Sequence, residues 1–285
     1  MMRLLVLITA MAIALAACKT TGVGADPMGE FFAGSDSTDA VGPFDQGFAR
    51  AVNDPRNTVV VIYNHGTDWG GKFQDCLPDT MPRFIQTWGS NGIAGHDVAV
   101  FYLCSQVVEK RYTMGRQRAE ENEALLDRLA TLGVPPEHIF IFGHSGGAST
   151  ALMTAERASQ KFNAAIVSAP GYGFAWLDAQ GESYPWMDVE YDKWRGRLAG
   201  AENMNALVYV FDGDIYAPPK DALFLRDHPG VEVVEIHASD DSGILCKDEP
   251  DPHFYWWSAC FRNEQKDIVE HYIEERLGMT GQASL

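Results

Sequence analysis

The sequence predicts an α/β protein, a mostly parallel sheet of about six strands with helices on both faces. Three observations carry that expectation. Short runs rich in Val, Ile and Phe recur along the chain, stretches of helical spacing separate them, and the first run has no polar alternation. Such continuous apolar strands suit burial on both faces, and strands alternating with helices imply parallel βαβ units.

The first of these runs is Thr58 to Tyr63 (TVVVIY), six residues without a charge. Asp97 to Leu103, His138 to Phe142, Ala164 to Ser168, Ala206 to Phe211 and Val231 to Ile236 repeat the pattern. Helices are expected over residues 79–91, 115–132, 147–162 and 263–277, the second with Leu125, Leu126 and Leu129 at helical spacing. The charged run Arg116 to Glu123 reads as the solvated face of its helix.

Lys plus Arg number 22 against 39 Asp plus Glu, a net charge of −17. Phosphate backbones and anionic lipid surfaces are held mainly by clustered basic residues, so neither nucleic acid nor a basic lipid-binding face is expected. Hydrophobic residues at 46% and charged residues at 21% fit a globular domain.

The amino terminus reads as an export signal. Residues 1–17 place Arg3 before an apolar run from Leu4 to Ala17, too short to span a bilayer but suited to a signal h-region. Leu15-Ala16-Ala17-Cys18 resembles the bacterial lipoprotein box, which implies cleavage before Cys18 and its lipidation. Loss of Arg3 would leave 21 basic against 39 acidic residues, a net of −18. Residues 18–40 are small, polar and aperiodic and read as a tether; residues 41–285 are then one domain. The expected location is the bacterial cell envelope, at the outer membrane, facing the periplasm or the surface. Among the other cysteines, Cys76, Cys104, Cys246 and Cys260 form an even set in an exported chain. Sequence proximity favours Cys76–Cys104 and Cys246–Cys260 among three possible pairings, and no spacing suggests zinc.

The run 138–142 leads directly into Gly143-His144-Ser145-Gly146-Gly147, and a helix follows. A sharp strand-to-helix turn with small flanking residues lifts a Ser hydroxyl above the carboxyl edge of a sheet. Attack of that hydroxyl on a carbonyl creates an oxyanion, which needs two amide donors already aimed at it. One is the amide of Gly146. The other is expected from the loop after the first strand, Asn64-His65-Gly66-Thr67, with Thr67 the candidate and His65 holding the loop.

On these motifs residues 55–277 resemble the α/β-hydrolase family. The chain departs from it in having no evident strand before residue 58. The resemblance implies a triad in the order Ser, Asp, His. Its acid follows the strand 206–211, where Asp214 fits better than the alternative Asp212. For the base, His253 in Asp251-Pro252-His253-Phe254 resembles the family's usual ending, while His237 directly abuts the strand 231–236 and is the alternative. A Cys246–Cys260 bridge would close a loop around His253.

The resemblance further implies a cap over residues 171–205, where Tyr172, Phe174, Trp176, Tyr184, Trp186, Tyr191 and Trp194 cluster. Tyr255, Trp256 and Trp257 would add aromatic surface near the mouth. The implied activity is hydrolysis of a carboxylic ester, small or polymeric, through an acyl-enzyme and without metal or organic cofactor. The short loop and compact size look like the dienelactone-hydrolase and small-esterase branches, although the former usually carries Cys where Ser145 stands. Peptidase or polyester depolymerase activity, or an inactive envelope binding protein, are the alternatives. The sequence assigns no oligomeric state.

Overall fold

The apolar runs form strands, and their alternate residues feed two cores. In β3 (Thr58–Asn64) every residue is buried; Val60 and Ile62 enter the core on one face, and Val59, Val61 and Tyr63 that on the other. β5 (Ile139–His144) and β7 (Ala206–Phe211) divide their side chains the same way. This is the period-2 alternation of a strand covered on both sides.

The computed structural model describes residues 29–32, 40–67, 80–93, 95–105, 107, 114–171, 180–238 and 244–278. The remaining strands are β1 (Gly29–Phe32), β2 (Ala40–Pro43), β4 (Asp97–Leu103), β6 (Ala164–Ser168) and β8 (Val231–Ile236). The sheet order is β2-β1-β4-β3-β5-β6-β7-β8. Strands β3 to β8 pair in parallel, whereas β1 is antiparallel to both β2 and β4.

Helices α1 (Phe44–Ala51), α3 (Met114–Thr131), α4 (Gly146–Ala158) and α5 (Pro185–Ala199) pack on one face. The other face carries α2 (Arg83–Asn91), α6 (Ala259–Glu264) and α7 (Lys266–Arg276), the last two replacing the single helix expected over 263–277. The Trp88 indole N–H donates to Glu270 Oε1 at 2.6 Å and ties α2 to α7.

The six expected parallel strands are present, and two more extend the sheet. Residues 29–32 lie within the stretch 18–40 expected as tether, yet they form β1 at the β4 edge. The adjacent Phe31 and Phe32 point to opposite faces, Phe31 against Phe101 at 4.9 Å and Phe32 against Tyr102 at 6.5 Å between centroids. Two buried phenyl rings hold this strand in place, among Gly, Ser and Asp residues that carry no strand signal.

The charged run 116–123 also departs from expectation. Arg116 and Glu120 are exposed, but Arg118, Ala119 and Asn122 are buried. Arg118 and Asn122 continue, at helical spacing, the inward stripe of Leu125, Leu126 and Leu129. Their polar ends are covered by the loop that follows β3.

In the expected cap, residues 180–205 contribute the crossover helix α5, which buries Trp194 and Leu198 on the sheet. Tyr184 and Trp186 remain exposed, while Tyr172, Phe174 and Trp176 lie outside the described residues. Residues 1–17, Cys18 and Cys76 also lie outside them.

Candidate active site

The topology decides where a site forms. From β3 the chain passes to β4 on one side and then to β5 on the other, so the connections leaving β3 and β5 diverge. A crevice opens at such a switch point outside the carboxyl ends of the two strands. The loops that meet there are His65-Gly66-Thr67 after β3 and the Ser145 turn after β5.

Ser145 has φ 53° and ψ −120°, a left-handed conformation that is strained for a residue with a Cβ. The surroundings enforce it. Its N–H donates to the Ser168 carbonyl at 3.0 Å, and the flanking glycines permit close backbone contact. A Cβ on Gly143 would collide with the Gly147 carbonyl, and one on Gly147 with the carbonyls of Asn64 and His65. The elbow and the β3 loop are thus packed backbone to backbone. Across this contact Gly146 faces Thr67, whose backbone nitrogen lies 3.4 Å from where a Gly146 Cβ would stand.

Asp214 and His253 come together in the interior. His253 Nδ1 lies 2.8 Å from Asp214 Oδ2, with both side chains buried. The other carboxylate oxygen, Oδ1, accepts from the amides of Tyr216 at 2.8 Å and Ala217 at 3.0 Å. An ionised carboxylate only accepts, so Nδ1 carries the proton and Nε2 is left as a base. The Asp251 carboxylate caps the turn Pro252–Trp257 by accepting from the His253 amide at 3.0 Å. The Cys246–Cys260 disulfide closes this segment, with Cα atoms 5.9 Å apart. Cys104 is disulfide-bonded as well; its expected partner Cys76 lies outside the described residues.

His253 packs against the residue that precedes Ser145. Its ring centroid is 4.6 Å from His144, and Tyr216 closes another side at 4.8 Å. No hydrogen bond joins Ser145 to His253 among the described contacts; such bonds are commonly long until substrate binds.

The alternative acid and base form a second pair elsewhere. His237 Nδ1 lies 2.7 Å from Asp212 Oδ2, exposed at the ends of β7 and β8. The hydrogen bond to Asp212 raises the His237 pKa. With Glu235 they form a partly exposed group of metal-ligand chemistry, and the Glu235 carboxylate is shared with Arg226.

The aromatic residues after His253 do not all line the mouth. Tyr255 and Trp256 are buried, Trp256 between Phe84 and Phe142. Phe254 stays exposed and Trp257 half-buried. In a 3-10 turn, consecutive residues leave in directions about 120° apart, which sends two of the rings inward.

A polar network below the β3 loop carries no sequence motif. Asn64 and Asn122 exchange side-chain hydrogen bonds at 3.2 and 2.9 Å, and Arg118 Nη2 donates to the His65 carbonyl at 2.7 Å. The signal that could have located it is the position of Arg118 and Asn122 on the leucine stripe.

Burial lowers His65 to about 4, and the nearby Arg118 charge adds to the effect. Burial likewise holds His144 well below its ordinary range, with His253 contributing. Both are neutral when folded. In the unfolded chain each titrates near 6.5, so between pH 6.5 and 4 unfolding takes up protons and stability falls as pH falls. The His65 contribution is fully present above pH 6.5 and amounts to roughly 3 kcal/mol. Urea midpoints at pH 7, 6 and 5 should therefore decrease, with a shallower slope in His65→Asn. Equal midpoints across that range would contradict the buried neutral rings.

No protein-family profile and no curated protein matches the sequence. Solved structures do match, and the chain has the α/β-hydrolase fold. It is similar to an acetyl ester-xyloside bifunctional hydrolase from Caldicellulosiruptor lactoaceticus, with 12% identity, TM-score 0.54, and coverage of 80% of this chain and 86% of that one. A monoacylglycerol lipase from Paleococcus ferrophilus matches at 14% identity and TM-score 0.50, covering 77% and 94%. A puromycin-hydrolyzing peptidase from Mycobacterium tuberculosis matches at 16% identity and TM-score 0.52, covering 77% of this chain but 34% of the peptidase. The chain thus spans about a third of the length of that peptidase.

Proposed function

We infer that the protein is a serine hydrolase acting on carboxylic esters. The observation that carries the reading is the strained Ser145 elbow with the buried Asp214–His253 pair packed against its neighbour His144. In the reaction, Ser145 Oγ attacks the acyl carbon while His253 Nε2 takes its proton. The amides of Thr67 and Gly146 hold the oxyanion, and Asp214 stabilises the imidazolium. The tetrahedral species collapses, His253 protonates the departing alcohol, and water then cleaves the acyl-enzyme by the same sequence.

Apolar surface beside these groups favours an apolar acyl or alcohol portion. Ile215, next to Asp214, is 55% exposed and Phe254, next to His253, is 43% exposed. Tyr184 and Trp186 stack at 6.1 Å where α5 begins, and a helix that follows β6 begins on the carboxyl side of the sheet. Esterase, lipase and peptidase folds are alike similar to this chain, so the preference for an ester rests on the apolar surface. We extend the reading to a small-esterase type within the fold and to an exported lipoprotein anchored through Cys18.

A fluorophosphonate probe and a panel of p-nitrophenyl esters of rising acyl length, set beside aminoacyl and peptide substrates, test this. The expected result is a phosphonyl adduct on Ser145 and turnover of esters above peptides. Absence of the adduct on folded protein overturns the hydrolase reading. Mass analysis of the same preparation from a bacterial envelope tests the anchor: a chain that keeps residues 1–17, or lacks acyl mass on Cys18, refutes it.

A further inference from the structure

Arg118 is the least expected residue near the site, a guanidinium buried to 1% exposure in a stretch of helix otherwise rich in surface charge. Its Nη2 donates to the His65 carbonyl at 2.7 Å. That carbonyl belongs to the peptide unit joining His65 to Gly66. The next unit joins Gly66 to Thr67, and its carbonyl lies 2.6 Å from His65 Nδ1, which donates to it. Because C=O and N–H point in opposite directions within one trans peptide, holding the Gly66 carbonyl aims the Thr67 N–H the other way. Both units flanking Gly66 are therefore held, one by Arg118 and one by the His65 ring. Without such holds, the freedom of a glycine would let the Thr67 amide turn.

We propose that Arg118 is a positioning residue for ester hydrolysis: by holding the His65 carbonyl it fixes the first of the two peptide units that aim the Thr67 N–H at the oxyanion. The proposal rests on the hydrolase reading of Ser145. The second hold is the ring's own: burial, with the Arg118 charge adding to it, keeps His65 neutral, and its Nδ1–H donates to the Gly66 carbonyl. Lys would keep the charge but lacks the planar fork that reaches the carbonyl in this geometry.

The rate of Ser145 phosphonylation by a fluorophosphonate reads this role without knowledge of the natural substrate. In that step the Ser145 Oγ–P bond forms, the P–F bond breaks, fluoride leaves and the Ser145 proton passes to His253. The phosphoryl oxygen takes the place of the oxyanion. Loss of a whole oxyanion donor costs roughly 10²–10³-fold, so a misaimed one should slow phosphonylation roughly 10- to 100-fold in Arg118→Gln. KM for p-nitrophenyl butyrate should move less than about 3-fold, since the donor acts mainly on the transition state.

Leu129→Ala is the control for mere loss of stability. It opens a cavity under the same helix, where Leu129 is buried in the core away from the β3 loop, so the urea midpoint should fall while phosphonylation of the folded protein stays near wild type. If Arg118→Gln does not fold, Arg118→Lys carries the same comparison. Wild-type labelling with an unchanged rate in the folded Arg118 variant overturns the positioning role alone. An equal loss of rate in Leu129→Ala also overturns it. Failure of the wild type to label at Ser145 instead removes the hydrolase reading beneath it.

Discussion

Ser145→Ala and His253→Ala are each expected to lower kcat for p-nitrophenyl esters by roughly 10⁶-fold, and the double variant should be no worse than either single one. Nucleophile and base act as one unit. Without the hydroxyl there is no acyl-enzyme, and without Nε2 the hydroxyl keeps its proton. His237→Ala supplies the contrast. His237 is exposed and paired with Asp212, whereas His253 is buried beside His144. Removal of the His237 ring should leave kcat within about 2-fold, as for an exposed side chain away from the chemistry. Circular dichroism and urea midpoints would confirm that each variant folds. A large loss in His237→Ala with near-normal activity in His253→Ala would reverse the assignment of the base.

Asp214→Asn is expected to lower kcat by roughly 10⁴-fold with little change in KM. The Asn carbonyl oxygen can still accept from the Tyr216 and Ala217 amides, so the turn survives. Its amide NH2 then faces His253 Nδ1 and donates to it, which moves the ring proton to Nε2. The base is then in the wrong tautomer, facing Ser145 with a hydrogen instead of a lone pair. Asp212→Asn should change kcat little and should lower the His237 pKa toward its ordinary value, because the hydrogen bond that raises it is weakened. Proton NMR of the His237 ring follows that shift, and steady-state kinetics follows the rest. If Asp212→Asn were the damaging variant, the exposed pair would be the catalytic one.

Much of the architecture was legible because burial on both faces leaves a plain signature. A strand such as Thr58–Asn64 must be apolar along its middle, Val59 to Ile62, and few other structures require several such runs alternating with helices. The Ser145 turn was legible for a steric reason. Gly143 and Gly147 stand where a Cβ would meet backbone oxygen, so the motif records the contact itself. β1 was illegible because four residues hold their place through Phe31 and Phe32 in cores built by distant segments. Arg118 and Asn122 were misread because their chemistry belongs to a surface, and only the loop laid over them makes the position interior. Tyr255 and Trp256 were misplaced because a 3-10 turn distributes neighbours around its axis, and linear proximity to His253 does not say which ring faces the crevice.

By itself, the sequence determined the parallel α/β framework, the nucleophile elbow and the short lists from which an acid and a base could be drawn. These follow from local requirements: apolar runs, glycine sterics and residue order. Tertiary structure alone decided which Asp meets which His. Asp212 and Asp214 are two residues apart on one turn, yet one reaches His237 at the surface and the other His253 inside. It likewise decided that α3 places a guanidinium under the β3 loop. The physical reason is common to both. Hydrogen bonds and burial depend on what folds over a residue from elsewhere in the chain, and strand order around β3 brings those distant segments together.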